Sequence, residues 1–154
     1  MGSFTQLNYH VVFATKYRKR AIAKPNQESV YKYIGGIIRE IHGNLDCIGG
    51  IEDHIHLLVS IPPKIAVSDA IRSIKSNSSR WVNEQEWSFR NFEWQKGYGA
   101  FTVSYSQMER VRAYIANQEL HHRKLTFQEE YIDLLKKHGL HFEPKYLFED
   151  EHHG

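Results

Sequence analysis

The chain has 154 residues, a net charge of +2 at pH 7 and a single cysteine, Cys47. A chain of that length buries roughly two thirds of its unfolded surface in one core without help from metals or disulfides. A lone cysteine makes no internal disulfide, so one domain over residues 1–154 in a reducing, cytoplasmic setting is expected. No apolar run approaches the ~20 residues of a membrane span. The start Met1-Gly2-Ser3-Phe4-Thr5-Gln6 carries neither a signal-peptide nor a myristoylation pattern, and the small net charge does not by itself imply nucleic acid.

The charge is unevenly spread. Lys16-Tyr17-Arg18-Lys19-Arg20 packs four cations and an aromatic into five residues, and Glu149-Asp150-Glu151 makes the tail acidic. Leu7 to Ala14, β-branched and aromatic, reads as a first strand that runs into the basic cluster. That cluster is either a solvated loop or a set of phosphate contacts. From Pro25-Asn26 a helix is predicted, with Val30, Ile34, Ile37, Ile38 and Ile41 at helical spacing and Gly43-Asn44 at its end.

Two apolar runs, 45–51 and 54–61, joined at Glu52-Asp53, predict an antiparallel hairpin, and Gly49-Gly50 marks a bulge or a close backbone approach. In the second run successive side chains alternate faces, so His54 and His56 project together while Ile55, Leu57 and Val59 point the other way. The histidines are either a ligand pair on a rigid support or hydrogen-bonded groups on a half-buried strand. Pro62-Pro63 ends the run.

A helix is predicted from Ala66 to Gln85, with Val67, Ile71, Ile74, Ser78, Trp81 and Val82 on one face and Arg72, Lys75 and Arg80 off it; the polar run 76–79 weakens its middle. Residues 92–104 return to strand chemistry. Their interleaved aromatics, amide, cation and glycines fit base stacking or a bent strand. Ser106-Gln107-Met108-Glu109 has the capping-box pattern, opening a helix to about Lys124 with Met108, Val111 and Ile115 as its apolar stripe. Tyr114 and Gln118 lie one turn apart on its flank; His121 extends that flank and His122 falls nearer the stripe. A last helix, 127–138, turns Phe127, Tyr131, Leu134 and Leu135 to one side, and the tail from 139 to 154 shows no regular element.

Four ordered motifs carry a family resemblance: Tyr9-His10-Val11-Val12-Phe13-Ala14-Thr15-Lys16-Tyr17-Arg18, Asp53-His54-Ile55-His56-Leu57-Leu58-Val59, Trp94-Gln95-Lys96-Gly97-Tyr98-Gly99-Ala100-Phe101 and Tyr114-Ile115-Ala116-Asn117-Gln118. Over about residues 6–138 the chain resembles the single-tyrosine transposases of the HUH superfamily, which small bacterial insertion sequences encode, and their REP-associated relatives. The resemblance implies an α+β fold, the HUH endonuclease fold, with a ferredoxin- or RRM-like antiparallel sheet flanked by helices. It also implies Tyr114 as nucleophile, and His54, His56 and Gln118 as ligands of Mg²⁺ or Mn²⁺. By position, His121 and His122 offer further ligands near Gln118, either as supplement or as substitute for the amide. Two imidazoles and an amide are neutral, so they leave the cation its charge for a scissile phosphate.

The implied reaction is cleavage and rejoining of single-stranded DNA through a 5′-phosphotyrosine, with recognition of hairpin DNA ends. Gln118 stands where two-tyrosine relatives carry a second tyrosine. That implies one nucleophile per subunit in a homodimer, with the site completed in cis or in trans. Lys16, Arg18, Lys19, Arg20, Arg72, Lys75 and Arg80 are the candidate phosphate contacts on charge alone. Two other readings fit the residues: a ferredoxin-like nucleic-acid-binding protein without catalysis, and a metal-dependent phosphohydrolase with water as acceptor.

Overall fold

Four strands, β1 (Asn8–Ala14), β2 (Asn44–Ile51), β3 (His54–Ser60) and β4 (Gly99–Val103), form one sheet in the order β2-β3-β1-β4 in a computed structural model that describes residues 2–148. Every pairing is antiparallel. Helix α1 (Lys24–Glu40) follows β1 and α2 (Val67–Asn83) follows β3, which gives the β-α-β-β-α-β order of ferredoxin-like domains. Beyond β4 come α3 (Met108–Ala116), α4 (Gln118–His121), α5 (Phe127–Lys137) and α6 (Pro144–Leu147), the last in a stretch expected to be irregular. The acidic Glu149-Asp150-Glu151 lies outside the described residues. Among the described residues no helix is long and apolar enough to cross a membrane.

Strand alternation divides the interior in two. Val11, Phe13, Ile55, Leu57 and Val59 pack with Val30, Ile34 and Ile38 of α1 and with Ile71 and Ile74 of α2. On the other face Val12, Ala14 and Phe101 meet Phe127, Tyr131, Leu134 and Leu135 of α5, and Leu58 and Val103 meet Ile115 of α3. Register sets His10 opposite Leu58, Val12 opposite His56 and Ala14 opposite His54, so three histidines share this second face. Helices roof it, and both His54 and His56 are fully buried.

Several local expectations change. The Ser106 capping box does not form: a 3-10 turn, Tyr105–Gln107, precedes α3, Gln107 occupies the cap without a side-chain bond, and the Ser106 hydroxyl pairs with Ser104. The expected single helix is interrupted at Asn117, between α3 and α4. The box that does form is Thr126 with Glu129, at the start of α5. Of residues 92–104 only 99–103 are strand, with Trp94 making an isolated bridge to Thr15. Phe92 and Trp94 are core residues, edge-on to one another, and Trp94 is also edge-on to Phe13, so they are not free to stack bases. Trp94 Nε1 donates to Ser78 Oγ at 2.9 Å, which explains a serine on the buried stripe of α2.

The bulge in β2 falls between Leu45 and Cys47, not at the glycine pair. Gly49 instead marks a close approach: a Cβ there would stand 2.6 Å from the backbone oxygen of Ile115, one residue beyond Tyr114. Only a residue without a side chain lets α3 lie so near the sheet. Gly49→Ala is therefore expected to lower stability by ~1–3 kcal/mol in urea unfolding, as overpacking does. Gly97→Ala, with nothing within 4 Å, is expected to stay within ~0.5 kcal/mol; equal effects at both positions would contradict the close approach.

Candidate active site

Phe127, Tyr131 and Leu134 hold α5 on the histidine face of the sheet, and Glu130 rides on the same stripe, three residues after Phe127 and four before Leu134. The helix thus drives a carboxylate to 2% exposure directly over β3. Glu130 Oε1 lies 3.0 Å from His56 Nε2, 3.3 Å from His54 Nε2 and 2.9 Å from His122 Nε2. Glu130 Oε2 accepts from the Tyr114 hydroxyl and, at 3.1 Å, from Gln118 Nε2. The break at Asn117 starts a new helix at Gln118, whose Oε1 stands 2.8 Å from His54 Nε2.

Each inner histidine is fixed through its outer nitrogen. His54 Nδ1 pairs with Asp53 Oδ1 at 2.8 Å, His56 Nδ1 with His10 Nε2 at 2.8 Å, and His122 Nδ1 with the Leu125 carbonyl at 2.7 Å. Three rings therefore present Nε2 to one point, with the outer hydrogen bonds that metal-ligating histidines characteristically make. Ligand atoms of His54, His122 and Glu130 lie within 4.8 Å of one another, a His-His-Glu cluster compatible with a divalent metal.

Burial would raise the Glu130 carboxyl, but hydrogen bonds with His122, His54 and His56 outweigh it and hold the group far below the usual carboxylate range. Burial would lower His54, yet its bonds to Asp53 and Glu130 push it up to about 9. His56 is lowered by burial. Tyr114 is raised well above an ordinary phenol, first by burial and then by the negative charge of Glu130.

Of the residues expected from the sequence, His54, His56, Gln118, Tyr114 and His122 come together within one chain, whereas the His121 ring lies against Tyr114 at 4.8 Å. The cations are more scattered. Arg72, Lys75 and Arg80 belong to α2, across the sheet from the histidines; Arg72 pairs with Asp69, Arg80 with Asn77, and Lys75 donates to the carbonyls of Gln95 and Gly97. Lys16 pairs with Glu93 and Arg20 with Glu52, Lys19 lies over the Tyr17 ring, and Arg18 lies over Phe148. Sequence reasoning missed Glu130 and His10. The signals were there: a carboxylate in phase with an apolar helix stripe, and a histidine in phase with Val12 and Ala14 on a buried strand.

This architecture, with a buried His-x-His pair on a central strand beneath a tyrosine helix, defines an α+β domain of the HUH type. The family model for IS200-like transposases matches residues 3–118. Over 122 residues the chain is 34% identical to the transposase for insertion sequence element IS200 of Salmonella typhimurium, covering 71% of this chain and 75% of that one. The crystal structure of a putative transposase from Deinococcus radiodurans superposes with a TM-score of 0.59 at 24% identity, covering 77% of this chain and 95% of that one. A REP-associated tyrosine transposase bound to a REP hairpin superposes with a TM-score of 0.60 at 13% identity, covering 79% and 74%. The chain belongs to the IS200-like transposases, a family of single-tyrosine HUH enzymes.

His10 gives the site a pH signature. Burial, with His56 adding to it, lowers its pKa from 6.5 to about 3. The unfolded chain therefore takes up a proton that the folded chain refuses, so this contribution is complete above pH 6.5 and lost as pH falls toward 3. In chelator-treated protein the unfolding free energy is expected to fall over that window, and less steeply in His10→Gln; identical slopes would show that His10 is not the source.

Proposed function

We propose that the chain cleaves and rejoins single-stranded DNA bearing hairpin ends through a 5′-phosphotyrosine on Tyr114. The meeting within one chain of the Tyr114 phenol, the Gln118 amide and the His54 and His56 imidazoles around Glu130 carries this reading. The Tyr114 oxygen attacks phosphorus as its proton leaves along the hydrogen bond it donates to Glu130 Oε2, a relay and not a resting place because that carboxyl is held far below the usual range. The phosphorus–O3′ bond breaks, and the 3′ oxygen takes up the proton released by Tyr114 and leaves as a hydroxyl. The reverse attack by a 3′ hydroxyl restores the strand and frees the phenol, so the bond energy is kept and no nucleotide cofactor is consumed. His54 and His56, with Gln118 beside them, would hold a divalent cation, which would supply positive charge where the phosphate's negative charge develops.

A cleft of about 510 Å³ opens beside the phenol, lined by His10, Arg110, Tyr114, Lys137 and His138 among others. It offers room for a nucleotide and two cations close to the nucleophile, a better match to a scissile strand than the α2 cations across the sheet. The REP-associated neighbour was solved on a REP hairpin, which supports hairpin-bearing DNA as the substrate class. We take the working form as a cytoplasmic homodimer of single-domain chains in which each chain supplies its own Tyr114; the contact between Tyr114 and Glu130 of the same chain supports the cis arrangement.

Incubation with a hairpin-bearing single strand and Mn²⁺, followed by a denaturing gel, is expected to give a covalent protein–DNA adduct that Tyr114→Phe and metal removal both abolish. Cut strands with free 5′ ends and no adduct would mark a phosphohydrolase, and binding without cleavage a nucleic-acid-binding module. An equimolar mixture of Tyr114→Phe and His56→Ala chains is expected to stay inactive; recovered cleavage would show that the site is completed in trans.

A further inference from the structure

Beside Tyr114, α3 presents a line of side chains to the cleft. Gln107, at the helix cap, Arg110 and Tyr114 are spaced three and four residues apart, so they follow one another along one face, and all three border the same cavity. Arg112 serves a different purpose: its guanidinium grips Asp46 of β2 at 2.8 and 2.9 Å and ties α3 to the sheet. Arg110 is exposed and has no acidic partner among the described residues, whereas Lys137, the cleft's other basic side chain, pairs with Asp133 at 3.1 Å. No carboxylate lines the cavity. A guanidinium left open in such a place is suited to a phosphate, which it can hold bidentately.

The remaining walls suit a base. Val103 and Leu134 supply buried apolar surface. The His138 ring is stacked on Phe101, with centroids 4.1 Å apart and planes at 16°, and its Nδ1 donates to the Leu134 carbonyl, so a flat ring is fixed at the cleft. Bases stack on such rings whatever their identity. Identity can be read by Gln107, whose carboxamide makes no hydrogen bond to another described residue. A glutamine amide, with donor and acceptor side by side, pairs bidentately with the N7 and N6 amine of adenine.

We propose that this cleft holds the nucleotide next to the scissile phosphate, that Arg110 binds its phosphate, and that Gln107 reads its base, adenine by preference. The inference rests on the strand-transfer reading above in taking the phosphate at Tyr114 as the scissile one. Arg110 precedes Tyr114 by one helical turn, about 5.4 Å along the axis. A stacked strand advances about 3.4 Å per nucleotide and an unstacked one further, so the guanidinium lies one nucleotide step from the nucleophile. The volume of about 510 Å³ accommodates a single nucleotide. On this assignment α3 carries both the attacking group and part of what chooses the cut.

The test measures the affinity of the full chain for short oligo-dA and oligo-dT strands by fluorescence anisotropy over a salt series, in chelator so that nothing is cut. Circular dichroism verifies folding. The wild type is expected to favour oligo-dA by about fivefold or more, the low end of one bidentate base contact. Gln107→Ala should erase that difference and leave oligo-dT affinity unchanged. Arg110→Ala should weaken both strands by about tenfold and reduce the slope of log affinity against log salt by about 0.7, one single-strand phosphate, with Arg110→Lys restoring the slope. In Mn²⁺, adduct formation on hairpin-bearing strands that differ only in the bases flanking the cut should favour adenine on one side, and Gln107→Ala should lose that preference.

A wild type indifferent to the base, a preference unchanged in Gln107→Ala, or a salt slope unchanged in Arg110→Ala would overturn the proposal. So would adenine favoured in binding but not beside the cut. The two readings fail separately. Binding that responds to both substitutions without any Tyr114 adduct sinks the strand transferase and upholds the nucleotide cleft, whereas an adduct with neither response sinks the cleft alone.

Discussion

A carboxylate taken into a protein interior stays charged only where its surroundings replace the lost water, and the uncompensated cost is several kcal/mol. Glu130, at 2% exposure, meets that cost through His54, His56, His122, Tyr114 and Gln118. Those partners come from β3, α3, α4 and the turn after it, so one side chain joins four neighbouring parts of the chain. The site is thus an obligatory part of how the helices close over this face of the sheet, because moving any one of them would leave a buried charge short of a partner.

The sheet supplies the fixed side of this arrangement. Alternation along β3 gives Ile55, Leu57 and Val59 to the core against α1 and α2, each fully buried apolar side chain contributing ~1.5–3 kcal/mol. The same backbone then cannot shift without exposing those residues, so His54 and His56 are held by the opposite face of their own strand. Asp53 and His10 fix the ring orientations from outside. Gly49 performs the complementary task, since the absence of its side chain lets α3 approach closely enough for Tyr114 to reach Glu130.

What the sequence disclosed follows from how local each signal is. Strand alternation and helical spacing are local, and they revealed the sheet, the two helices behind it, the shared face of His54 and His56, and the one-turn offset of Tyr114 and Gln118. Capping proved less legible: Ser106 and Glu109 have the right spacing, yet the chain leaves β4 through a 3-10 turn, and the box forms at Thr126 and Glu129 instead. The aromatics of residues 92–104 fit base stacking as well as a bent strand, because nothing local reveals that Phe92 and Trp94 fold back against Phe13. Glu130 is the instructive miss. Its role depends on four other segments arriving at the same point, and its only local trace is a carboxylate in phase with Phe127 and Leu134.

The two oxygens of Glu130 divide the site's labour. Oε1 faces three imidazoles, while Oε2 takes the phenolic hydrogen of Tyr114. Burial first, and then the negative charge of Glu130, hold the Tyr114 phenol above its ordinary range, so it is rarely ionised near neutral pH. On the proposed reaction, a divalent cation beside the imidazoles would offset part of the Glu130 charge, and the raising influence on Tyr114 would shrink. On that reading, the dependence of the proposed nucleophile on metal would run through one shared side chain. No movement of α3 is needed for this, because the phenol already donates to Glu130.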